Sequence, residues 1–402
     1  MRDGGTERTG SSGHNCMAGK IMATMKDVAR LAEVSLATVS AVLSGSTYVS
    51  PDLTERVRVA VKALGYAPNT VASSLKKGTT KLLGLVVPDI TNPFFTEFVH
   101  SIQKRAHVQG YCVLLFDSDR NLEQEHAYLR MLRAHLAVGT ILCASAPEEA
   151  YDKVRSEIGI MPVVAVDHVV CPNEWDSVAL DNVAAARLAV QHILEFGHRR
   201  VAIISGPQNL LPGRDRLRGF AEAIAAANLP VNPDYVRQGA FGEHDAYTAA
   251  LELMDLPEPP SAIFVANNQM LIGTMRALAE KHLACPADVS VTAIDDFPWA
   301  NAFSPALTTV RQPVDAMAEA ALNMLLERIR GDERSPRHMV FPPELIVRQS
   351  CSSPAAGGKT ESQRAGRNAS VTARNSSDKK SRVKKTDIAG TEENIDVPTA
   401  AR

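Results

Sequence analysis

The sequence predicts a small all-α head joined to an α/β body of two doubly wound parallel-sheet lobes. Three observations predict it. Before residue 66, short apolar stretches recur at helical spacing and are separated by capping residues. At Leu82 the pattern changes to continuous apolar runs of strand length alternating with helical patterns, the mark of parallel strands buried on both faces and joined by crossover helices. Near residue 183 the alternation starts again, which divides the body into two lobes.

In the head, Thr24 stands three residues before Asp27, the spacing of a capping box, and starts a first helix at Met25 with Val28, Leu31 and Ala32 as its buried face. Ser35 caps a second helix whose Val39, Val42 and Leu43 pack back on the first. Ser50-Pro51 offers another N-cap with proline at the first helical position, opening a third helix with Val57, Val61 and Leu64 inward. Two short helices joined by a tight turn, with a third behind them, read as a helix-turn-helix module, whose second helix enters the DNA major groove. The plainer alternative is a three-helix bundle without a nucleic-acid role. After the head, Ala67-Pro-Asn69-Thr-Val-Ala-Ser73-Ser-Leu75-Lys76-Lys-Gly reads as a short helix that aims one apolar side chain outward among basic ones.

In the body, Leu82–Pro88 is the first strand, and the helix after it sets Phe95, Phe98, Val99, Ile102 and Ala106 on one face before ending at Gly110. Strand 111–116, helix 123–137, strand 139–143, helix 147–158 and strand 161–167 complete the first series. The second runs through helix 183–196, strand 200–205, helix 214–227, strand 236–240, helix 245–254, strand 261–265, helix 269–282 and strand 289–295. Ligands of such sheets bind beyond the carboxyl ends of the strands.

Charge follows the same division. The chain has a net charge of -2, but residues 23–81 carry eight Lys/Arg against four acids. The first 22 residues carry +1 and residues 351–402 carry +4, so the middle carries -11. A basic head on an acidic body suits a protein that meets a polyanion with its head alone. The six cysteines (16, 112, 143, 171, 285, 351) have no C-x-x-C or metal-ligand spacing, so neither a metal nor another cofactor is expected, and reduced thiols in a cytoplasmic, nucleoid-associated protein are. No run of apolar residues is long enough to span a membrane, so no membrane partner is expected. The domains are then a disordered extension at 1–22, a DNA-binding domain at 23–68, a hinge at 69–80, a two-lobed body at 81–350 and a disordered basic tail at 351–402. No glycine-rich phosphate loop follows a strand and no Ser/His/Asp or Cys/His grouping emerges, which argues against an enzyme.

Met22–Ala32, Ser35-x-x-Thr-Val-Ser, Leu64-Gly-Tyr-x-Pro-Asn and Val71-Ala-x-Ser-Leu resemble the DNA-binding head and hinge of the lactose-repressor (Lac/Gal) family, and the resemblance continues through Leu345-Ile-Val-Arg, about four fifths of the chain. Because the family pattern begins near Met22, residues 1–21 are expected to be an over-called start. The resemblance implies a homodimer on a palindromic operator, contacted by Thr24, Ser35, Leu36, Ala37, Thr38, Ser40 and Ala41 of the head and by Asn69, Ser73, Leu75 and Lys76 of the hinge. It also implies that Leu75 wedges into the minor groove, where an apolar side chain unstacks a base step. Two departures stand out. Relatives place polar, base-reading side chains where this chain has Leu36, Ala37 and Ala41, which can touch thymine methyls but cannot hydrogen-bond a base edge. Their turn residue is Gly or Asn, whereas here it is Glu33, at a cost on the order of 1 kcal/mol if left-handed.

The body resembles type I periplasmic sugar-binding proteins. Asp89-Ile-Thr-Asn92-Pro-Phe94-Phe95 lies at the first strand's carboxyl end, with aromatic faces for a sugar ring and Asn92 for a hydroxyl. Asp167 and Asp295 end strands in the same way. Arg216 matches the family's effector-contacting arginine, and Phe241, Asn267 and Gln312 fall on pocket-lining positions of relatives. A structural salt-bridge network of Asp167, Asp295 and Arg216, with Phe94 and Phe95 as plain core, is the alternative. His168 stands where some sugar binders carry Arg, and Leu210 and Pro212 where purine-responsive relatives carry polar groups. These argue for a small sugar or sugar acid over a purine. The resulting expectation is a repressor of carbohydrate-use genes released by its effector. The alternatives are a corepressor-dependent member of the same family and, outside regulation, a sugar-binding or sugar-processing protein.

Overall fold

The computed structural model describes residues 23–45, 47–66 and 80–354, in two compact units that divide between Thr80 and Lys81. Of the hinge expected at 69–80, residues 69–79, with Asn69, Ser73, Leu75 and Lys76, lie outside the described residues.

In the first unit, α1 spans Met25–Leu31, α2 Leu36–Ser44 and α3 Pro51–Leu64. The capping box is present: Asp27 N–H donates to Thr24 Oγ1 at 3.4 Å, and Thr24 N–H donates to Asp27 Oδ2 at 3.0 Å. Ser35 Oγ accepts from Thr38 N–H at 3.1 Å at the start of α2. Ser50 occupies the N-cap of α3 with no side-chain cap bond, and Pro51 at the first helical position starts that helix by its fixed φ. The core is Val28, Ala29, Ala32, Val39, Val57 and Ala60, and Leu31, expected inward, is 53% exposed. Small residues occupy the inward positions because they let three short helices approach closely.

The turn between α1 and α2 does pass through the left-handed region, with Glu33 at φ 52°. Arg56 of α3 donates to both the Glu33 carbonyl (3.3 Å) and its carboxylate (3.2 Å), which holds a residue whose Cβ disfavours that conformation.

The second unit holds two six-stranded sheets. In the first lobe the strands are β1 (Leu82–Val87), β2 (Cys112–Asp117), β3 (Gly139–Leu142), β4 (Val163–Val166), β5 (Asp176–Leu180) and β11 (His338–Phe341), in the order β11-β5-β4-β3-β1-β2. In the second they are β6 (Val201–Ser205), β7 (Val236–Gln238), β8 (Ala262–Val265), β9 (Ser290–Ile294), β10 (Thr308–Arg311) and β12 (Glu344–Ile346), in the order β12-β10-β9-β8-β6-β7. Every pairing is parallel except β10 with β12.

Helices cover both faces of each sheet. They are α4 (Pro93–Val108), α5 (Leu122–Ala134), α6 (Asp152–Ile158), α7 (Asn182–Glu195), α8 (Leu211–Ala226), α9 (Glu243–Met254), α10 (Asn268–Glu280) and α11 (Val314–Ile329). A 3₁₀ turn at Glu148–Tyr151 forms the first part of the helix expected at 147–158. The chain passes between lobes three times: after β5, after β10, and between β11 and β12. Helix α11 thus follows a second-lobe strand but packs on the first lobe, with Met317, Ala321 and Leu325 in the same core as Phe98 and Ile102. The body also continues past residue 350: Cys351 is buried and Ser352 N–H donates to Ser290 Oγ at 3.1 Å, which moves the expected start of the tail a few residues later.

Candidate DNA interface and effector pocket

On α2, Ser35, Leu36, Ala37 and Ser40 are exposed, Thr38 and Ala41 are half-buried, and Val39 is fully buried. Thr38 Oγ1 lies 2.9 Å from Ser35 Oγ, so these hydroxyls satisfy each other at the helix start. Thr24 is exposed, but its hydroxyl donates to Asp27 at 2.7 Å as part of the cap. Lys26 and Arg30 of α1 share a shallow concavity with Ser35 and Leu36. They put two cations beside the start of α2, where the backbone N–H groups of a helix N-terminus already favour anions. Neither cation was singled out from the sequence, because a solvated basic pair on a helix has no distinguishing spacing. Tyr48, just after α2, is 87% exposed and was likewise missed.

Between the lobes of the body lies a cavity of ≈ 70 Å³. All nine residues proposed from the sequence line it: Asn92, Phe94, Phe95, Asp167, Arg216, Phe241, Asn267, Asp295 and Gln312. The strands explain the convergence. Asp167 follows β4 and Asp295 follows β9, and each turns left-handed there, at φ 67° and 72°. In each lobe the aspartate N–H is held by the neighbouring strand: Asp167 by Val178 O at 3.0 Å, Asp295 by Val310 O at 2.9 Å. Phe241 is left-handed too, at φ 58°, and its ring lies where a Cβ on Gly206 would be, so only glycine fits beneath it. Three non-glycine residues in this region, each costing on the order of 1–3 kcal/mol, mark a wall whose shape the fold maintains against local preference.

Arg216 is 2% exposed. Its Nε donates to Asn182 Oδ1 at 2.8 Å and its Nη1 to Ala266 O at 2.6 Å, with Asp295 Oδ2 at 3.9 Å. Its guanidinium sits 5.8 Å from the Phe241 ring centroid. Asp295 accepts from Gln312 Nε2 at 2.6 Å. Burial pushes the Asp295 carboxyl up against the pull of Arg216, and it lifts Asp167 to about 6, again against Arg216 and with Asp295 adding to the rise. Two carboxylates thus share one buried guanidinium.

Asn92 and Asn267 have double roles. Asn92 Oδ1 caps α4 through Phe94 N–H at 3.0 Å and accepts from Asn268 Nδ2 of the other lobe at 3.0 Å. Asn267 Oδ1 caps α10 through Met270 N–H at 2.8 Å, and its Nδ2 donates to Phe241 O at 3.3 Å. Both oxygens are therefore committed to the fold. Phe94 and Phe95 meet edge to face at 4.9 Å, line the pocket and belong to the first-lobe core, so their two readings hold together.

The cavity is completed by residues with no recognisable motif. Arg120, in a left-handed turn after β2, donates to Asp89 Oδ2 (3.1 Å) and, across the cleft, to Phe241 O (3.2 Å) and Gln269 Oε1 (2.8 Å). Asp89, despite partial burial, is held below the usual carboxylate range by hydrogen bonds from Thr91 and Gln269 and by the charge of Arg120. His168 bridges the lobes as a neutral ring: Nδ1 accepts from Leu211 N–H at 3.3 Å, which leaves the proton on Nε2 for Ala146 O at 2.9 Å. Burial brings its pKa down to about 4. Ser145 lines the wall with its hydroxyl donated to the buried Glu125 at 2.6 Å. Leu210 and Pro212 supply apolar surface opposite. Among the described residues no group of His, Cys, Asp and Glu is arranged to hold a metal, and no helix is long and apolar enough to cross a membrane.

A chain with a helix-turn-helix head and a body whose two doubly wound lobes hold a polar pocket between them has the architecture of a ligand-responsive DNA-binding regulator. The pattern of bacterial regulatory proteins of the lacI family matches residues 24–69, and that of the periplasmic binding protein-like domain matches residues 190–351. The chain is 35% identical over 337 residues to the HTH-type transcriptional repressor PurR of Haemophilus influenzae, covering 83% of this chain and 99% of that one. It is 34% identical over 330 residues to the Escherichia coli protein of the same name, covering 82% and 97%. A lac repressor dimer bound to operator and the anti-inducer ONPF superposes with a TM-score of 0.74 at 26% identity, over 82% of this chain and 99% of that one. The transcriptional regulator CelR in complex with cellobiose gives 0.63 at 31% identity over the same shares. The chain belongs to the LacI family and is a DNA-binding transcriptional repressor, not an enzyme.

Proposed function

We propose that this repressor controls carbohydrate-use genes and is released from a palindromic operator when a neutral, hydroxyl-rich small molecule occupies the cleft between its lobes. The observation that carries this reading is the set of Arg216, Asp295, Gln312 and Asp167 lining one cleft with the rings of Phe94, Phe95 and Phe241. Carboxylates and amides converging over apolar ring faces match the alternation of hydroxyls and C–H faces on a sugar. The balance of charge narrows the class. Arg216 already faces Asp295 and Asp167, and Arg120 is paired with Asp89. No unmatched cation remains for an anion among the described lining residues, so a neutral sugar fits better than the sugar acid also considered from the sequence. The cellobiose complex of CelR supports a neutral sugar.

The protein acts as a homodimer in the cytoplasm, on the nucleoid, because one head covers only a half-site. Effector binding alters lobe closure through the Arg120–Asp89–Gln269 and Asn92–Asn268 contacts, and the signal reaches DNA through the hinge, where Leu75 enters the minor groove. A coupling of about 1–3 kcal/mol between the two sites is ordinary for such switches.

The test is a gel shift of the full chain on DNA from its own gene neighbourhood, at stated salt, with neutral sugars, sugar acids and purine bases added in turn. Release by a neutral sugar is the expected result. Tighter operator binding with any compound makes the chain corepressor-dependent instead. Release by a purine base alone overturns the sugar assignment.

A further inference from the structure

Behind the effector cavity lies a second, larger one of ≈ 350 Å³, against ≈ 70 Å³ for the first. The two share Phe94, Asp295 and Gln312 as a common wall. Gln312 is 3% exposed; its Nε2 is spent on Asp295, and its Oε1 has no hydrogen-bond partner. A buried carbonyl oxygen in that position needs a donor, and it stands where the two cavities meet.

The second compartment has its own chemistry. Phe297, Pro298 and Val314 give apolar faces, while Glu97, Asn301 and Arg311 give polar groups. Its cations are already matched. Arg348 donates to Asp296 at 3.1 Å, Asn301 at 2.6 Å and Thr309 at 2.9 Å, and Arg311 donates to Asp296 at 3.0 Å. Glu97 makes no hydrogen bond or contact ion pair among the described residues. Matched arginines and a spare carboxylate disfavour a phosphate or other anion, whereas an unsatisfied amide oxygen disfavours a purely apolar group. A second ring carrying hydroxyls satisfies both.

We propose that the effector is a neutral disaccharide that spans Gln312, with one ring in the first cavity and its second ring in the compartment lined by Glu97, Asn301 and Phe297. This rests on the sugar reading above and specifies the size of the sugar. The Gln312 oxygen accepts a hydroxyl near the glycosidic link, and Glu97 accepts one from the far ring.

The experiment is calorimetric titration of the full-length protein with glucose, galactose and mannose, and with cellobiose, maltose and lactose. It is repeated on Glu97→Ala and Asn301→Ala, both exposed positions whose replacement leaves the fold intact. One disaccharide is expected to bind at least tenfold tighter than its component monosaccharides, and Glu97→Ala to remove most of that advantage without changing monosaccharide affinity. Monosaccharides binding as tightly as the disaccharides overturns the proposal and leaves the sugar reading standing. So does a disaccharide advantage that survives in both Glu97→Ala and Asn301→Ala, since the second ring then lies elsewhere. No binding by any of the six overturns both readings.

Discussion

From Ser35 to Ala41 the chain offers DNA two apolar methyl groups, one leucine and a few hydroxyls. The cavity of the body, by contrast, gathers two carboxylates, two guanidinium groups and several amides around three phenylalanine rings. The difference shows where discrimination resides. A buried polar set that is left unpaired by the wrong ligand penalises it heavily, while an exposed apolar surface on a thymine methyl distinguishes sequences by little. On the function proposed above, selectivity for the effector rests on direct contacts, and operator choice rests more on docking geometry, phosphate contacts and deformation of the duplex.

The sharpest way to break that comparison is Arg216→Ala. Among the described residues the guanidinium is the one buried cation facing Asp295 and Asp167, so its removal leaves two acids uncompensated. Breaking a buried charge network by removing one partner costs about 3–5 kcal/mol. The expected outcome is complete loss of effector response in the gel shift together with a lower melting temperature of the body. Retained response at unchanged affinity shows that the arginine is structural only.

This part of the molecule was legible because each pocket residue sits at a strand end or in a short motif whose position the strand-helix alternation fixes in space. The residues that escaped notice have no such anchor. Arg120 reaches the cavity only because Asp119 and Arg120 both adopt left-handed backbone, and Ser145 matters only through a glutamate twenty residues away. Helix α11 and strands β11 and β12 were not assigned from the alternation, since local pattern says nothing of which sheet a segment joins after crossing between lobes. Leu31 failed for another reason: in a helix of seven residues the apolar face is ambiguous, and close packing favours Ala29 and Ala32 over the larger side chain. The turn at Glu33 was readable as strained, but its partner Arg56, twenty-three residues on, was not.

A smaller effect comes from the titration of Asp167. Its carboxyl titrates near 6 in the folded chain and near 3.8 when unfolded, so the folded state prefers the proton. That preference stabilises the protein below about 3.8, and the contribution is lost as pH rises through 6. Asp167→Asn keeps the shape without the charge. Its melting temperature relative to the wild type is expected to be higher at pH 8 than at pH 4.5, and wild-type affinity for a neutral sugar is expected to strengthen between pH 5 and 7 as the carboxylate becomes an acceptor. A variant whose relative stability does not change with pH removes Asp167 from the charge network.

The smallest expected effect tests the other half of the comparison. Leu36 is 43% exposed at the start of α2, where it projects from the helix between Ser35 and Ala37. If its contribution is contact with a thymine methyl, truncation to alanine removes three carbons of apolar contact and no hydrogen bond. Operator affinity should then fall by less than about 1.5 kcal/mol, on the scale of a few partly buried methylene groups. The slope of affinity against salt should stay the same, because that slope counts phosphate contacts and Leu36 makes none. A loss of a hundredfold or more would mean that α2 reads bases more stringently than its side chains suggest, and the contrast between a sparse DNA surface and a dense effector pocket would not hold.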